Sequence, residues 1–423
     1  MTAPSDSDSE KAPAPFWLSD GVILISANFL AAAGNYAFQA LMRRHLPWSE
    51  FGYLNATLSL TLLAGVPLAA ASQTLTHHLA RISASRDHEK MIQLQAASLK
   101  LLRHLTWLLL ALAILFVYPV SDFLHFPRSS LIWLALLIIP VNLWSTLGSA
   151  WCGGLSLFRL LATLLIVTAV VRLAGGALAV TFYPWAESGL VATCLSGLVL
   201  ATVVVFNRHH ATSTRLRSVL FNRDLIIYGA GALSVSFGLF AFLQGDQILA
   251  QRHFSGEELG RYSGAGLLGR AIVWVGLPLL TVYFTRRSGD DPAHRSPRRL
   301  LAIYLALLCT GSIFLMLFKV PLLNLLLGVH DPGLATMASH FALAILPIGL
   351  LQALGYHFLA ARRFLECFLF GLCAVGYLIG LATFGLSSDQ MLVSMGIGAS
   401  ASVGLLIVAT QARRHLLPSP FPS

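Results

Sequence analysis

The chain carries little charge for its length. Of its 423 residues only 11% are Asp, Glu, Lys or Arg, whereas 56% are hydrophobic. A soluble domain has about 25% charged residues. A soluble core has no room for so many apolar residues, and the lipid bilayer is the solvent that suits them. The composition therefore excludes a soluble globular protein.

Cysteine and metal-binding patterns are also scarce. The five cysteines, Cys152, Cys194, Cys309, Cys367 and Cys373, all lie in apolar segments, and their spacing indicates neither a metal site nor a disulfide framework. The histidine pairs are adjacent and so point in different directions on a helix, which makes them poor chelators. We expect no metal and no cofactor. The net charge of +10 is spread over short loops and forms no basic domain, so nucleic acid is not an expected partner.

The sequence is dominated by long apolar runs. A membrane-spanning helix needs about 20 mostly apolar residues, and twelve segments meet that length. Two of them contain Pro67 and Pro347, which are candidate kink positions. The segments are 17–42, 53–80, 99–118, 131–152, 158–183, 187–206, 224–249, 260–285, 300–319, 334–360, 365–384 and 388–410.

The lysines and arginines predict the orientation. With the N-terminus inside, most of them fall on the inner side, which places both termini in the cytoplasm. No cleavable signal peptide is expected, because the first residues are acidic and rich in Pro and Ser. We expect a disordered tail over 1–16, a six-helix lobe over 17–206, a connector over 207–223, a second six-helix lobe over 224–410 and a tail over 411–423. The loops are too short for a soluble catalytic domain, so an enzyme is not expected.

Two stretches of the chain look like copies of each other. Residues 43–60 read RRHLPWSEFGYLNATLSL and residues 251–268 read QRHFSGEELGRYSGAGLL. At one constant offset Arg44 matches Arg252, Glu50 matches Glu258 and Gly52 matches Gly260, and Gln39 upstream matches Gln247. Because six spans return the chain to the same side, the two lobes should be related by an axis along the membrane normal. Such a duplication is typical of transporters whose substrate path lies between two halves.

Two arginines lie deep in apolar segments. Arg172 is near the middle of the fifth span, and Arg270 is ten residues past Gly260, about 15 Å into the membrane. A charge there costs about 2.5–3.5 kcal/mol on insertion scales. With no acidic residue expected at that depth, they predict a cationic interior that binds a phosphate or diphosphate through bidentate guanidinium contacts. The structural alternative is that each arginine bonds helix carbonyls or pairs with Asp246.

Other polar groups accompany them. Asp246 lies about 9 Å from the outer end of the seventh span and is either an ion-coupling carboxylate, a partner for an arginine, or an interfacial group. Asn28, Asn35 and Gln39 share one stripe of the first span. They either line a sugar-accommodating cavity together with Gln247, or bond to neighbouring helices.

The sequence around residues 244–285 resembles the polysaccharide (Wzx-type) flippases. They belong to a superfamily that includes the multidrug/toxin (MATE) exporters and the lipid II flippases. The resemblance rests on Asp246 followed by the form F-x-x-E-E-x-G-x-Y-S, here from Phe254 to Ser263, on its first-half counterpart, and on LNLLLGVHDPGLA at 323–335 followed by LAARRF at 359–364. The chain departs from the family at Thr285, where a proline is common.

The resemblance implies a MATE-like all-α fold in the bacterial inner membrane. It also implies movement of an undecaprenyl-diphosphate-linked oligosaccharide to the periplasmic leaflet, with Arg270 and Arg172 in the cavity. Membrane lipids and polysaccharide-assembly proteins are then the expected partners, and coupling to a proton or sodium gradient is a further expectation. The alternatives are a cation-coupled drug exporter, which would have an acidic cavity, an integral-membrane glycan enzyme, which would have a large loop, and a non-transporting scaffold.

Overall fold

The computed structural model describes residues 20–84, 88–207, 223–288 and 297–416. Within these ranges the chain forms fourteen helices and no strand. The predicted tail 1–16 and nearly all of the predicted connector lie outside the described residues. The helices are α1 (Asp20–His45), α2 (Trp48–Ala64), α3 (Val66–Ala84), α4 (His88–Phe123), α5 (Ser129–Gly154), α6 (Phe158–Phe182), α7 (Ala186–Asn207), α8 (Arg223–His253), α9 (Gly256–Ser288), α10 (Pro297–Leu317), α11 (Lys319–Leu327), α12 (Pro332–Ala360), α13 (Phe364–Phe384) and α14 (Ser388–Leu416).

Ten of the described helices are long and apolar enough to cross a membrane, and two bent segments raise that number to twelve. One bent segment is α2 with α3, which meet at 42° around Gly65, next to the predicted kink at Pro67. The other is α4, which bends by 49° between Leu112 and Ile114, shortly before Pro119. Pro347, the second predicted kink, lies inside the single helix α12. The twelve predicted spans are thus accounted for, with α11 as a short additional helix.

The two halves pack their helices in the same order. In the first half α1 packs on α6, α5 on α7 and α3 on α5. In the second half the same partners, six spans later, are α8 with α13, α12 with α14 and α9 with α12. Large apolar side chains such as Trp107, Phe182 and Phe384 are exposed on the outside of the bundle, as a lipid-facing surface requires. The predicted boundaries of the lobes stay predictions, and α14 runs to Leu416, past the boundary at 410.

The duplicated glutamates make equivalent hydrogen bonds in the two halves. The carboxylate of Glu50 accepts a 3.0 Å hydrogen bond from the backbone N–H of Ala186, at the start of α7. Glu258 accepts a longer one, 3.4 Å, from the N–H of Ser388 at the start of α14. Since helix N-termini present unsatisfied N–H groups and a positive dipole, a carboxylate stabilises them. The repeat is therefore visible in side-chain chemistry as well as in helix order.

The duplicated glycines bring the two halves together. Gly52 on α2 and Gly260 on α9 face each other, so that a Cβ at Gly52 would lie 2.8 Å from the backbone nitrogen of Gly260. A Cβ at Gly260 would overlap the carbonyl oxygen of Trp48. Only glycine permits so close a backbone crossing. We call the side of the bundle that carries the α1–α2 and α8–α9 connections the loop side; it is the side predicted to be periplasmic.

Candidate functional site

A buried polar cluster joins α8 to α9 in the second lobe. Asp246 and Gln247 come from α8, and Tyr262, Ser263 and Arg270 come from α9. Arg270 Nη2 donates to Asp246 Oδ2 at 2.5 Å, and the Tyr262 hydroxyl donates to the same oxygen at 2.7 Å. Gln247 Nε2 donates to Ser263 Oγ at 2.6 Å. Asp246 and Gln247 are at most 1% exposed, so these bonds form away from solvent.

All three nitrogens of the Arg270 guanidinium donate hydrogen bonds in this conformation. Its Nε donates to the carbonyl oxygen of Leu243 at 2.9 Å, and Nη1 makes a long 3.5 Å hydrogen bond to Gln247 Oε1. The carbon at the centre of the group lies 5.4 Å from the centroid of the Phe341 ring. With the bond to Asp246, each of the three nitrogens has an acceptor.

This pairing corrects one sequence-based expectation. We expected no carboxylate as deep as the two arginines, but the guanidinium of Arg270 reaches Asp246, whose carboxylate compensates its charge. The estimate of depth from residue number missed this contact because it took no account of the length of the arginine side chain. The interior is therefore less cationic than predicted, and the structural alternative for Arg270 describes this conformation.

One carboxylate oxygen of Asp246 has no hydrogen-bond partner. Asp246 Oδ2 accepts from both Arg270 and Tyr262, whereas Asp246 Oδ1 is buried and has no hydrogen-bond partner. An ionised carboxylate can accept about four hydrogen bonds. A buried ion pair stabilises a fold only when its remaining lone pairs are also satisfied, so this pair is poorly built for stability alone.

The second deep arginine lies in the first lobe. Arg172 on α6 donates from Nη1 to Asn35 Oδ1 on α1 at 3.0 Å, and its guanidinium carbon stands 4.6 Å from the centroid of the Phe38 ring. Its Nε has no partner. Asn35 is exposed and Arg172 is only partly buried, unlike Arg270. In this conformation Arg172 therefore differs from Arg270 in having a guanidinium nitrogen without a hydrogen-bond partner.

Arg172 and Asn35 point away from the lipid-facing surface. The exposed apolar side chain of Val170 marks the lipid face of α6, and Arg172 lies about 200° away around the helix. On α1 the exposed Leu30 marks that face, and Asn35 lies about 140° from it. Asn28 is exposed on the same stripe as Asn35, as the sequence predicts. The pair therefore lies on the side of α1 and α6 that is turned away from the lipid-facing surface.

The two arginines dock on equivalent turns of the repeat. By the offset that aligns Gln39 with Gln247, Asn35 corresponds to Leu243 and Phe38 to Asp246. Arg172 contacts Asn35 and Phe38, and Arg270 contacts Leu243, Asp246 and Gln247. They come from non-equivalent helices, so sequence comparison alone shows no relation between them. The repeat thus places the two guanidinium groups at matching depths in opposite lobes.

Several contacts connect the lobes near this depth and on the loop side. Helix α1, which carries Tyr36, packs against α9, which carries Arg270. Ser59 Oγ on α2 donates to Gln244 Oε1 on α8 at 3.0 Å. Closer to the loop side, Arg44 donates to the carbonyl oxygen of Leu325. The lobes are therefore joined from the arginine level up to the loop side.

The predicted site residues fall into two groups. Asp246, Gln247 and Arg270 form one cluster, and Arg172 with Asn35 forms the other. Gln39 is partly buried, and its Oε1 has no hydrogen-bond partner, so it joins neither group through that atom. The sequence analysis gave no role to four further residues: Tyr36, Tyr262, Ser263 and Phe341. The Y-S of the duplicated motif was the available signal for Tyr262 and Ser263, because both contact residues sixteen positions earlier.

No protein-family model matches the chain, and no curated protein sequence is significantly similar to it. Solved structures share its fold. An inward-facing multidrug resistance MATE family transporter of the MOP superfamily matches with a TM-score of 0.69 and 12% identity, over 94% of this chain and 98% of that one. The lipid II flippase MurJ, in an inward closed conformation, matches with a TM-score of 0.64 and 13% identity, over 92% and 87%.

A third similar structure is a MOP superfamily transporter from Pyrococcus furiosus, described as having a binding pocket of reverse polarity. It matches with a TM-score of 0.54 and 13% identity, over 95% of this chain and 96% of that one. At these identities the likeness shows the fold alone, and the Wzx-type resemblance stays a prediction. The chain is a multi-pass membrane protein with the MATE fold, and its structural neighbours are transporters and flippases of the MOP superfamily.

Proposed function

We propose that the chain is a flippase that moves a lipid-linked, undecaprenyl-diphosphate-type oligosaccharide from the cytoplasmic to the periplasmic leaflet. The observation that carries the proposal is Arg172, a deep arginine that is turned away from the lipid-facing surface and whose Nε has no hydrogen-bond partner. A guanidinium binds phosphate oxygens bidentately. It is the group that a diphosphate needs and a cationic drug avoids.

The neighbouring stripe suits a sugar. Asn28 and Asn35 are exposed amides, and amides both donate and accept hydrogen bonds, as sugar hydroxyls do. The polyprenyl tail needs no protein cavity, because it stays in the bilayer. The headgroup is thus the part that the space between the lobes must hold.

Movement would follow from rocking of the two lobes. The contacts on the loop side would open while the opposite side closes. Outward transfer of a negative headgroup is helped by the membrane potential, by about 2.3 kcal/mol per charge per 100 mV. Asp246 is the candidate for coupling to a proton or sodium gradient, and polysaccharide-assembly proteins are the proposed partners.

The experiment replaces Arg172 by Ala and by Lys and measures lipid-linked glycan in the outer leaflet of cells. We expect Arg172→Ala to abolish most of the export and Arg172→Lys to retain part of it, since a lysine keeps the charge but not the bidentate geometry. Arg159→Ala is the matched control, because Arg159 is exposed at the start of the same helix. Normal export by Arg172→Ala at normal protein level would refute the proposal.

A drug exporter is the second candidate, favoured by the TM-score of 0.69 to a multidrug resistance MATE transporter. Such a protein would recognise cations with carboxylates. Asp246, however, is already paired with Arg270, and the exposed stripe carries amides beside an arginine. Raised resistance to cationic dyes on overexpression, lost in Asp246→Asn and kept in Arg172→Ala, would support the exporter.

A further inference from the structure

The Asp246–Arg270 pair has features of an occupied anion site. Asp246 Oδ2 sits on Arg270 Nη2 at 2.5 Å, the position that a phosphate oxygen would take. Arg270 is 6% exposed, and each of its three guanidinium nitrogens already donates a hydrogen bond to a protein acceptor. A phosphate oxygen can therefore take the position on Nη2 only if Asp246 leaves it.

Asp246 is held less well than Arg270. One carboxylate oxygen takes two donors, and the other is buried without any. The charged group that faces it is Arg270, and the neutral hydroxyls of Tyr262 and Tyr377 lie nearby. Exchanging one anion for another on Arg270 keeps the arginine paired throughout. The released Asp246 keeps the hydrogen bond from Tyr262 and must take up a proton or a coupling cation to avoid the cost of an uncompensated buried charge.

The scaffold does not need this ion pair. At the equivalent place in the first lobe, Asp246 corresponds to Phe38 and Arg270 to Leu62, so the equivalent helices α1 and α2 have no ion pair there. The pair is an addition to one copy of a repeated frame. Such additions that break a local rule are expected at functional sites.

The position of Arg270 fits a second contact to the ligand of Arg172. Both guanidinium groups dock on equivalent turns of α1 and α8, and α1, which carries the Arg172 contacts, packs against α9, which carries Arg270. A diphosphate carries two phosphate groups, which two arginines from opposite lobes can hold.

We propose that Asp246 is a resident competitor for the anionic group of the substrate, and that a diphosphate displaces it to bind Arg172 and Arg270 together. The proposal rests on the proposed function and deepens it. The freed carboxylate, still near Tyr262, is then the group available to a coupling ion. Substrate binding and release of Asp246 become one event, in which the ligand joins the two lobes.

The test measures binding of farnesyl diphosphate and farnesyl monophosphate to the purified full-length protein in nanodiscs, by calorimetry at fixed salt. Asp246→Asn removes the competing charge, and we expect it to raise the affinity for the diphosphate about 5- to 150-fold, the usual range for coupled sites. The monophosphate, which Arg172 alone can hold, should gain less. Unchanged or weaker diphosphate binding by folded Asp246→Asn would overturn the proposal, as would absence of diphosphate binding to both proteins.

A second variant covers the case in which Asp246→Asn does not fold. The double variant Asp246→Asn with Arg270→Gln replaces the ion pair by two amides that can bond to each other. It should lose the preference for diphosphate over monophosphate, and a preference equal to that of the natural protein would overturn the proposal. These outcomes are separate from the export assay, because a protein that carries a different lipid diphosphate would fail in glycan export and still show the exchange.

Discussion

The crossing of α2 and α9 at Gly52 and Gly260 leads to a prediction about the whole transport cycle. In this conformation an alanine Cβ at Gly260 would overlap the carbonyl oxygen of Trp48, which is backbone and has no rotamer to change. The helices must separate to accept it. Overpacking of this kind costs about 1–3 kcal/mol, and it acts only on the conformation in which the lobes touch on the loop side.

A difference of that size shifts a two-state equilibrium by about 5- to 150-fold. Gly260→Ala should therefore favour separation of the lobes on the loop side. The assay is electron paramagnetic resonance distance measurement between spin labels at Pro47→Cys and Glu257→Cys, two exposed positions in opposite lobes, with the native cysteines replaced by alanine. We expect the population at long distance to grow.

Gly404→Ala is the matched control. Gly404 also lies inside a helix, but a Cβ there would meet nothing within 4 Å. Both substitutions gain the same intrinsic helix propensity, about 0.5–1 kcal/mol, so a difference between them measures the crossing. If the two variants give the same distance distribution as the parent, the close approach at Gly260 does not control the loop side.

Two further predictions concern other contacts. Glu366 is 2% exposed and accepts hydrogen bonds of 2.6 and 2.8 Å from Arg413 Nη1, which connects the end of α14 to the start of α13. Replacement of this glutamate, Glu366→Ala, should lower the free energy of unfolding by about 1–3 kcal/mol. The control Glu257→Ala, at an exposed position, should leave the thermal unfolding temperature nearly unchanged. Asn35→Asp places a carboxylate on Arg172, so glycan export should fall at normal protein level while Asn35→Gln retains part of it; equal export by both would argue against Arg172 as an anion site.

Much of the fold follows from local properties of the chain. The number of spans follows from the length of apolar runs, because each run must cover the thickness of the bilayer by itself. The bend at Gly65 was predictable from Pro67, but the bend in α4 was not, since Pro119 lies beyond the predicted end of that span. The inner side and the ends of the lobes remain predictions from the distribution of lysine and arginine.

The candidate site was likewise predictable only in part. The sequence identifies Arg172, Arg270, Asp246 and Asn35 as costly polar groups in apolar segments, because that cost depends on depth, which residue number approximates. Their relations depend on which helices become neighbours. Arg172 meets Asn35 across a long separation in the chain, and no spacing rule predicts that contact.

The repeat shows what the sequence determines and what only the tertiary structure determines. The duplicated glutamates and glycines are legible in the sequence, and they predict two similar lobes without showing that Gly52 and Gly260 touch. Depth along a helix, which is set by counting residues, identified both Arg270 and Arg172 as candidate substrate residues. Only the packing of α8 against α9, which places Asp246 on Arg270, and of α1 against α6, which leaves the Nε of Arg172 without a partner, distinguishes the two arginines. Availability depends on the partners that surround a charge, and those partners come from distant parts of the chain.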